Sequence, residues 1–366
     1  MEKYPKIAII YLSFDSEQYL DDVVSGLKKV SYPKDKLELV IVDNPHPKYG
    51  SSVRAIQEII MPHSGLDLPH VTLLPQKENL GFAGGNNVGI QWALDNNFDY
   101  IYLHNNDGFT SINTFESLAK VMEEDKTIAV AQSLLLLHPD TEYLNNAGNS
   151  FHYLGFGYCD KYRERVDEVK LPPVMEISYA SGAACIVRSD LIRKYGMLDH
   201  DFFLYHEDLE WCFRFRVVGY KTVLVRDSVF YHKYQFSRSI EKFYYMERNR
   251  YGVMLMFFKL PSLLLLLPMA IILEFGLWLF AWRGGWVDKR LEVYKYWSKP
   301  NNWKLWLGKR KNIQTMRKIS DRELFKFSVP GIYFQEKSME NPILKYIGNP
   351  VMKIYYWIVV RGIIFW

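Results

Sequence analysis

The chain has 366 residues, 49% hydrophobic and 23% charged, enough apolar material for a full core in one domain with an appendage. Its formal net charge of +4 is too small to mark a nucleic-acid binder, yet the basic residues crowd into the last third, which points to a surface or membrane partner. Cys159, Cys185 and Cys212 are odd in number and lack metal-ligand spacing. The start, Met1-Glu2-Lys3-Tyr4-Pro5, leads into a strand rather than a secretory apolar segment, so the chain is expected to stay in the reducing cytoplasm.

From residue 5 to about 130, strand-like and helix-like runs alternate over short connections. Ile7 to Leu12 predicts a strand, after which Asp15 or Ser16 is expected to cap a helix with the stripe Leu20, Val23, Val24 and Leu27, Gln18 closing a capping box. Leu39 to Val42 ends on Asp43, and Val53, Ile56 and Ile60 mark the next helix. Tyr100 to His104 ends on Asn105-Asn106-Asp107, with Phe115, Leu118 and Met122 on the helix that follows. Such alternation predicts an α/β fold whose parallel sheet is covered on both faces. Residues 132 to 178, rich in Pro, Gly and aromatics, read as an inserted loop or hairpin region. Beyond them come a strand from Ile177 to Val187, a short helix capped by Ser189, and a helix from Glu207 to Val218 stopped by Gly219.

Three strand ends thus carry an acid, at Asp15, Asp43 and Asp107, and suggest one shared site. The Asn105-Asn106-Asp107 run offers oxygen ligands for a hard cation and a phosphate where such a sheet opens its crevice, although turn chemistry alone explains the composition too. In the loop Glu78 to Asn87, Gly81, Gly84 and Gly85 allow close backbone approach to a ligand. Asn86 or Asn87 is placed to cap a helix containing Ile90, Ala93 and Leu94, whose N-terminus favours an anion. The first strand-helix turn, Leu12-Ser13-Phe14-Asp15, has no glycine, which argues against a dinucleotide fingerprint and a nucleotidyltransferase. In His206-Glu207-Asp208-Leu209-Glu210 the acids either complement a helix dipole or, if the turn opens onto the crevice, supply Asp208 as a base. His232, in Val229-Phe230-Tyr231-His232, reads as a packed structural residue or as a ligand.

Taken together, Asn79 to Gly89, Asn105-Asn106-Asp107, Ser181-Gly182-Ala183-Ala184, Asp201 to Asp208, Gly219-Tyr220 and Tyr231-His232 resemble family 2 glycosyltransferases of the GT-A fold. The branch most similar is the bacterial rhamnosyl- and galactofuranosyltransferase-like one, and the resemblance covers about residues 5 to 250. It implies an inverting transfer from a nucleotide-diphosphate sugar to a lipid-linked or growing glycan in surface polysaccharide synthesis. It also assigns Asp43 to the base or ribose, and the loop of Asn79, Gly81, Phe82, Gly84, Gly85 and Asn86 to the donor, with Asn105 and Asn106 beside it. Asp107 and His232 would hold Mn2+ or Mg2+, Asp208 would be the base, Glu207 would orient the acceptor site, and Ser181, Gly182 and Ala183 would approach the sugar. Asn105 stands where the family often has an acid, and Ser13-Phe14-Asp15 departs from its common first turn, so Asp15 is expected to cap rather than bind. A catalytically inactive glycan-binding scaffold of the same fold is the alternative.

Residues 1–250 are therefore expected to form the catalytic domain and 251–366 a helical, membrane-associated region. Leu260 to Trp282 is long enough to span, with Glu274 its only charge, but Pro261 and Pro268 interrupt it. A single crossing would export a strongly basic segment, against the positive-inside tendency. A re-entrant or interfacial hairpin at the cytoplasmic membrane face is expected instead, with Tyr355 to Val360 as a second contact. A buried hairpin or a homo-oligomer interface is the competing reading. Arg248 and Arg250 could hold a diphosphate or form a solvated basic face.

Overall fold

A computed structural model describes residues 4–234, 243–333 and 342–366; Met1, Glu2 and Lys3 of the expected lead-in lie outside the described residues. The chain forms two compact units, one of residues up to 149 with 159–215 and 220–234, the other of 150–158, 216–219 and 235–366.

The first unit is built on the strands β1 (Ile7–Ser13), β2 (Leu37–Asp43), β3 (His70–Pro75), β4 (Tyr100–His104), β5 (Gly108–Thr110), β6 (Ile128–Leu137) and β7 (Leu144–Asn146). After β8 (Asn149–His152) and β9 (Gly157–Cys159), which belong to a small separate sheet, come β10 (Val174–Glu176), β11 (Ala184–Arg188) and β12 (Lys221–His232). The main sheet runs β10-β12-β6-β11-β4-β1-β2-β3, with β5 on β12 and β7 on β6. β1 lies parallel to both β2 and β4, so the chain reverses its direction of strand addition between β1 and β4 and opens a crevice at their C-terminal ends. Register brings those ends level, Ser13 opposite Asp43 and Tyr11 opposite His104.

Both faces of β1 and β2 are buried, which is why they read as unbroken apolar runs. Ile7, Ile9, Tyr11, Leu39 and Ile41 pack in one core with Leu20, Val23 and Leu27 of α1 (Leu20–Lys28) and Ile56 of α2 (Val53–Ile59). The other face receives α3 (Gly81–Asp95), where a Cβ on Gly85 would lie 2.5 Å from Leu12 and one on Gly89 2.6 Å from Ile10. Further helices are α4 (Thr114–Glu124), α5 (Ser189–Tyr195) and α6 (Glu207–Val217), the last followed by Gly219 at φ 99°.

Several local expectations are corrected. No side chain caps α1: the chain enters it through a 3-10 turn at Glu17–Tyr19, Asp15 sits at φ 51°, and Ser16 Oγ is taken by Ser13 Oγ at 2.7 Å. Residues 132 to 178 include most of β6, a buried strand between β12 and β11 rather than an insertion. Ile177 to Val187 is not one strand, because the Ser181 amide donates to Gln132 Oε1 (2.7 Å) and that of Gly182 to Asp208 Oδ2 (3.2 Å), leaving neither for a ladder. Ser189 is the first residue of α5 and not its cap.

In the second unit, β13 (Ser328–Val329) pairs with β8, and the helices are α7 (Phe243–Phe257), α8 (Leu260–Gly284), α9 (Val287–Trp297), α10 (Pro300–Met316), α11 (Asp321–Leu324) and α12 (Asn349–Tyr355), which continues in wider turns to Ile363. A buried charge cluster joins three of them. Arg250 donates to both oxygens of Glu247 (2.9 Å each), to Glu274 Oε1 (3.2 Å) and to the Leu154 carbonyl (3.0 Å). Arg290 reaches Glu247 Oε2 at 3.3 Å and also pairs with Glu274. Arg250 is therefore neither solvated nor available to a diphosphate, and Arg248, buried beside the Tyr244, Tyr245 and Tyr296 rings, is not solvated either. Because Glu247 is shared by two buried guanidiniums, Glu247→Gln should destabilise the full chain by about 3–5 kcal/mol. Urea unfolding checks this; a loss below about 1 kcal/mol would show that the cluster does not hold the helices together.

Candidate active site

The strand-end run after β4 is fixed from three directions. The Asn105 amide donates to the Ala183 carbonyl (2.8 Å), and Asn106 Nδ2 to the Phe14 carbonyl (2.6 Å), tying β4 to β11 and β1. Antiparallel pairing of β5 with β12 sets His232 opposite Gly108, and so beside Asp107. His232 Nε2 lies 2.9 Å from Asp107 Oδ1, while its Nδ1 donates to Asn145 Oδ1 at 2.9 Å. With the ring proton on Nδ1, Nε2 is an acceptor facing a carboxylate, and Asn105 Nδ2 donates to both, at 3.3 Å and 2.5 Å. A proton or a metal ion belongs between two such acceptors, so the pair fits a divalent cation, with the imidazole oriented by the Asn145 side-chain oxygen. Among the described residues no group of three or more His, Cys, Asp and Glu converges.

A second cluster adjoins through the 181–183 turn. Asp208 accepts from the Gly182 amide (3.2 Å) and from its neighbour Leu209 (2.7 Å). A Cβ on Gly182 would come within 3.1 Å of the Phe82 ring, which would have to shift by a few tenths of an ångström, and would make ordinary contact with Asp208 Cβ at 3.7 Å. Ser181 Oγ in turn accepts from the Ala183 amide at 3.3 Å. Burial pushes the Asp208 carboxyl up to about 6, opposed by the two amides that favour its charged form. Glu207 is 4% exposed, its Oε2 has no hydrogen-bond partner among the described residues, and burial followed by the nearby Asp208 charge holds it protonated far above the usual carboxylate range. Asp208 is the only partly exposed member and ionises first, and Glu207 remains the neutral one.

The loop before α6 is held in unusual backbone. Phe203 has φ 62° and ψ −56°, and the Leu204 amide donates to the Phe202 carbonyl at 2.7 Å, a strained γ-turn with positive φ. Tyr205 and His206 also have positive φ. The γ-turn aims the Phe203 carbonyl at the first amides of α3, Phe82 (2.7 Å) and Ala83 (3.3 Å). Below it, Arg214 on α6 pairs with Glu210 and donates to the Tyr195 (3.1 Å) and Met197 (2.8 Å) carbonyls.

Several expected ligands are engaged within the protein. Asp43 is 1% exposed and accepts from Ser51 Oγ (2.6 Å), the Ser52 amide (3.0 Å) and Ser13 Oγ (3.3 Å), so its carboxylate shapes the loop after β2. Asn79 accepts from Gly81 and Asn44 (2.9 Å each), and Asn44 accepts from Leu80 (2.8 Å). Asn86 caps nothing: it lies inside α3, which begins at Gly81, and bonds the Phe82 carbonyl at 2.9 Å. A Cβ on Gly85 would meet Leu12 of β1, and one on Gly84 would come within 3.1 Å of Leu80. Asn105 presents its amide nitrogen, not its oxygen, to Asp107. Residues missed by sequence reasoning are Asn145, Gln132, Asn44 and Phe203; Asn145 meets His232 across 87 positions, a pairing with no local signal.

Residues 8–165 match the model of glycosyl transferase family 2. The low-salt glycan biosynthesis hexosyltransferase Agl10 of Haloferax volcanii is 24% identical over 213 residues, 57% of this chain and 61% of that protein, so the chain spans about three-fifths of the relative's length. Among solved structures, GalNAc-T7 with UDP, GalNAc and Mn2+ is similar at a TM-score of 0.50 and 13% identity, over 64% of this chain and 45% of that one. The fold is accordingly GT-A, a mostly parallel sheet with helices on both faces, and the family match with the hexosyltransferase relative supports a family 2 glycosyltransferase. The match takes in Asp43, Asn79 to Asn86 and Asn105 to Asp107, whereas Asp208 and His232 lie beyond it and rest on geometry.

Gly81 has φ 72°, and its Cβ would fall 2.5 Å from the Phe203 ring and 2.6 Å from its carbonyl, whereas Gly65 has φ 70° and open space. Gly65→Ala should cost only the backbone term, about 1–2 kcal/mol. Gly81→Ala should cost measurably more, since Phe203 must also give way. Equal losses in denaturant unfolding would show that the γ-turn is not tightly packed on α3.

Proposed function

We propose that the chain is an inverting, cation-dependent family 2 glycosyltransferase. It moves a hexosyl or rhamnosyl residue from a nucleotide-diphosphate sugar to a hydroxyl of a lipid-linked or growing glycan, on the cytoplasmic membrane face, in surface polysaccharide synthesis. The rhamnosyl- and galactofuranosyltransferase-like branch belongs to this reading. What carries it is Asp208, a partly exposed carboxylate held by two backbone amides beside a protonated Glu207; one of those amides is Gly182, the neighbour of Ala183, whose carbonyl bonds Asn105 of the Asp107 and His232 cluster.

In this mechanism Asp208 accepts the proton of the acceptor hydroxyl as its oxygen attacks the anomeric carbon from the face opposite the diphosphate, and the configuration inverts. Glu207, kept neutral, adds no second negative charge to repel the developing imbalance. Asp107 and His232 would hold the cation with diphosphate oxygens, and the charge gathering on the departing diphosphate is what that cation would neutralise. Phe82 lies against the Gly182 turn whose amide holds the base. An inactive glycan-binding scaffold is the second reading, favoured by the Asn105 amide, which closes the Asp107 and His232 pair without an ion. Nucleotide release from a panel of nucleotide sugars separates the two: glycan binding with no turnover for any donor would favour the scaffold.

Asp208→Asn should lower turnover by about a hundredfold to ten-thousandfold with donor affinity nearly unchanged by calorimetry. Since burial raises the Asp208 carboxyl to about 6, the base is present above that pH and lost below it. The acid limb of kcat should therefore bend near pH 6 and vanish in Asp208→Asn; a limb near the ordinary carboxylate value of about 4 would remove Asp208 from the role.

Asp107→Ala and His232→Ala should each weaken Mn2+-dependent donor binding, and together by less than the sum of the two. Additive losses with unchanged Mn2+ dependence would refute a shared ion.

A further inference from the structure

Helix α8 is turned inside out. Ser262, Leu266, Met269 and Ala281 form its buried stripe, while Leu264, Leu267, Ile271, Phe275, Leu279 and Trp282 recur every three or four residues along the other side, Phe275 74% exposed. Only 17% of its most apolar 18-residue window is buried, so it is not a core helix. The C-terminal helix lies beside it: Tyr355 OH donates to the Leu265 carbonyl and Trp366 Nε1 to Ser262 Oγ (2.9 Å), and it exposes Ile354, Trp357, Ile358 and Phe365. Two outward apolar stripes on neighbouring helices lie close enough to act as one interaction surface.

The position of Glu274 decides against a crossing. It stands 14 residues from Leu260 and 10 from Gly284, about 21 Å and 15 Å along the axis, so a spanning helix would set it about 3 Å from the bilayer centre. Glu274 is bonded to Arg250 and Arg290, which share Glu247, so all four charges would be drawn into the hydrocarbon. With α8 lying in the plane of the surface, the cluster stays on its protein side. Charge supports the same occupant. Residues 260–366 carry 17 Lys and Arg against 7 Asp and Glu, a net +10 in a chain whose total is +4. Exposed Arg283, Lys353 and Arg361 are interleaved with the outward apolar residues.

We propose that the protein binds anionic lipid bilayers monotopically, α8 and the C-terminal helix lying in the interface with their outward stripes in the acyl boundary and Arg283, Lys353 and Arg361 at the headgroups. This refines the membrane location proposed above. Its test uses no sugar, so it fails or stands apart from the transferase reading. The full chain should float with vesicles of phosphatidylcholine and phosphatidylglycerol, less with phosphatidylcholine alone, and less as salt rises. Leu264→Glu and Phe275→Glu should each lower partition by about tenfold with an unchanged unfolding midpoint. In a Cys159→Ser background, with Cys185 and Cys212 buried, Lys259→Cys and Lys289→Cys should react with an impermeant maleimide from the same side of sealed vesicles. Reaction from opposite sides would overturn the proposal in favour of a crossing. Failure to float, with dimerisation abolished by Phe275→Glu, would make a second copy the occupant.

Discussion

One carbonyl organises the first unit's site. Phe203 O accepts from the Phe82 and Ala83 amides, meeting donors that a helix N-terminus otherwise leaves open. The oxygen points there only because Phe203 adopts a strained γ-turn with positive φ. That turn lies five residues before Asp208, so the interaction that closes α3 also sets where α6 begins. Gly81 has no side chain because Phe203 occupies its space.

The same site divides charge with little means. Glu207 and Asp208 are adjacent carboxyls in one helical turn, yet their surroundings push them apart. Asp208 has two amides and partial access to water, and Glu207 has burial and a neighbour's charge. A lone carboxylate group is thus left where proton transfer is possible. Asp107 and His232 lie 2.9 Å apart, with the Asn105 amide reaching both. The two pairs meet through the backbone of residues 181–183, whose amides serve side chains instead of a strand ladder.

The second unit solves the opposite problem. It buries Arg250, Arg290 and Glu247 and turns leucine, isoleucine and phenylalanine outward. Burying charges is costly in itself, and here it is offset by multiple hydrogen bonds to each guanidinium. The result fixes three helices relative to one another while leaving the apolar side of α8 uncovered by the described residues.

Local pattern was sufficient for much of this. Unbroken apolar runs ending on polar residues identified β1, β2 and β4, and the stripes of α1, α2 and α4 followed from spacing, because burial on two faces or one leaves a period in the residues themselves. The apolar length of α8 was legible for the same reason, whereas the acid pair and the strand-end Asp107 stood out only through the family resemblance, since spacing alone left each a structural alternative. What failed were inferences about where a side chain's hydrogen bonds go. Ser16, Ser189 and Asn86 are residues that cap helices, but each had another partner or place within the fold. Asn145 on His232, Gln132 on Ser181 and Arg290 on Glu274 join segments far apart in the chain. Sequence alone determined the layered sheet, the types of residue at its crevice and the apolar length of α8. Only tertiary structure decided which polar groups were left for chemistry and which way α8 faces, because hydrogen bonds and burial are satisfied in space, between residues with no fixed spacing along the chain.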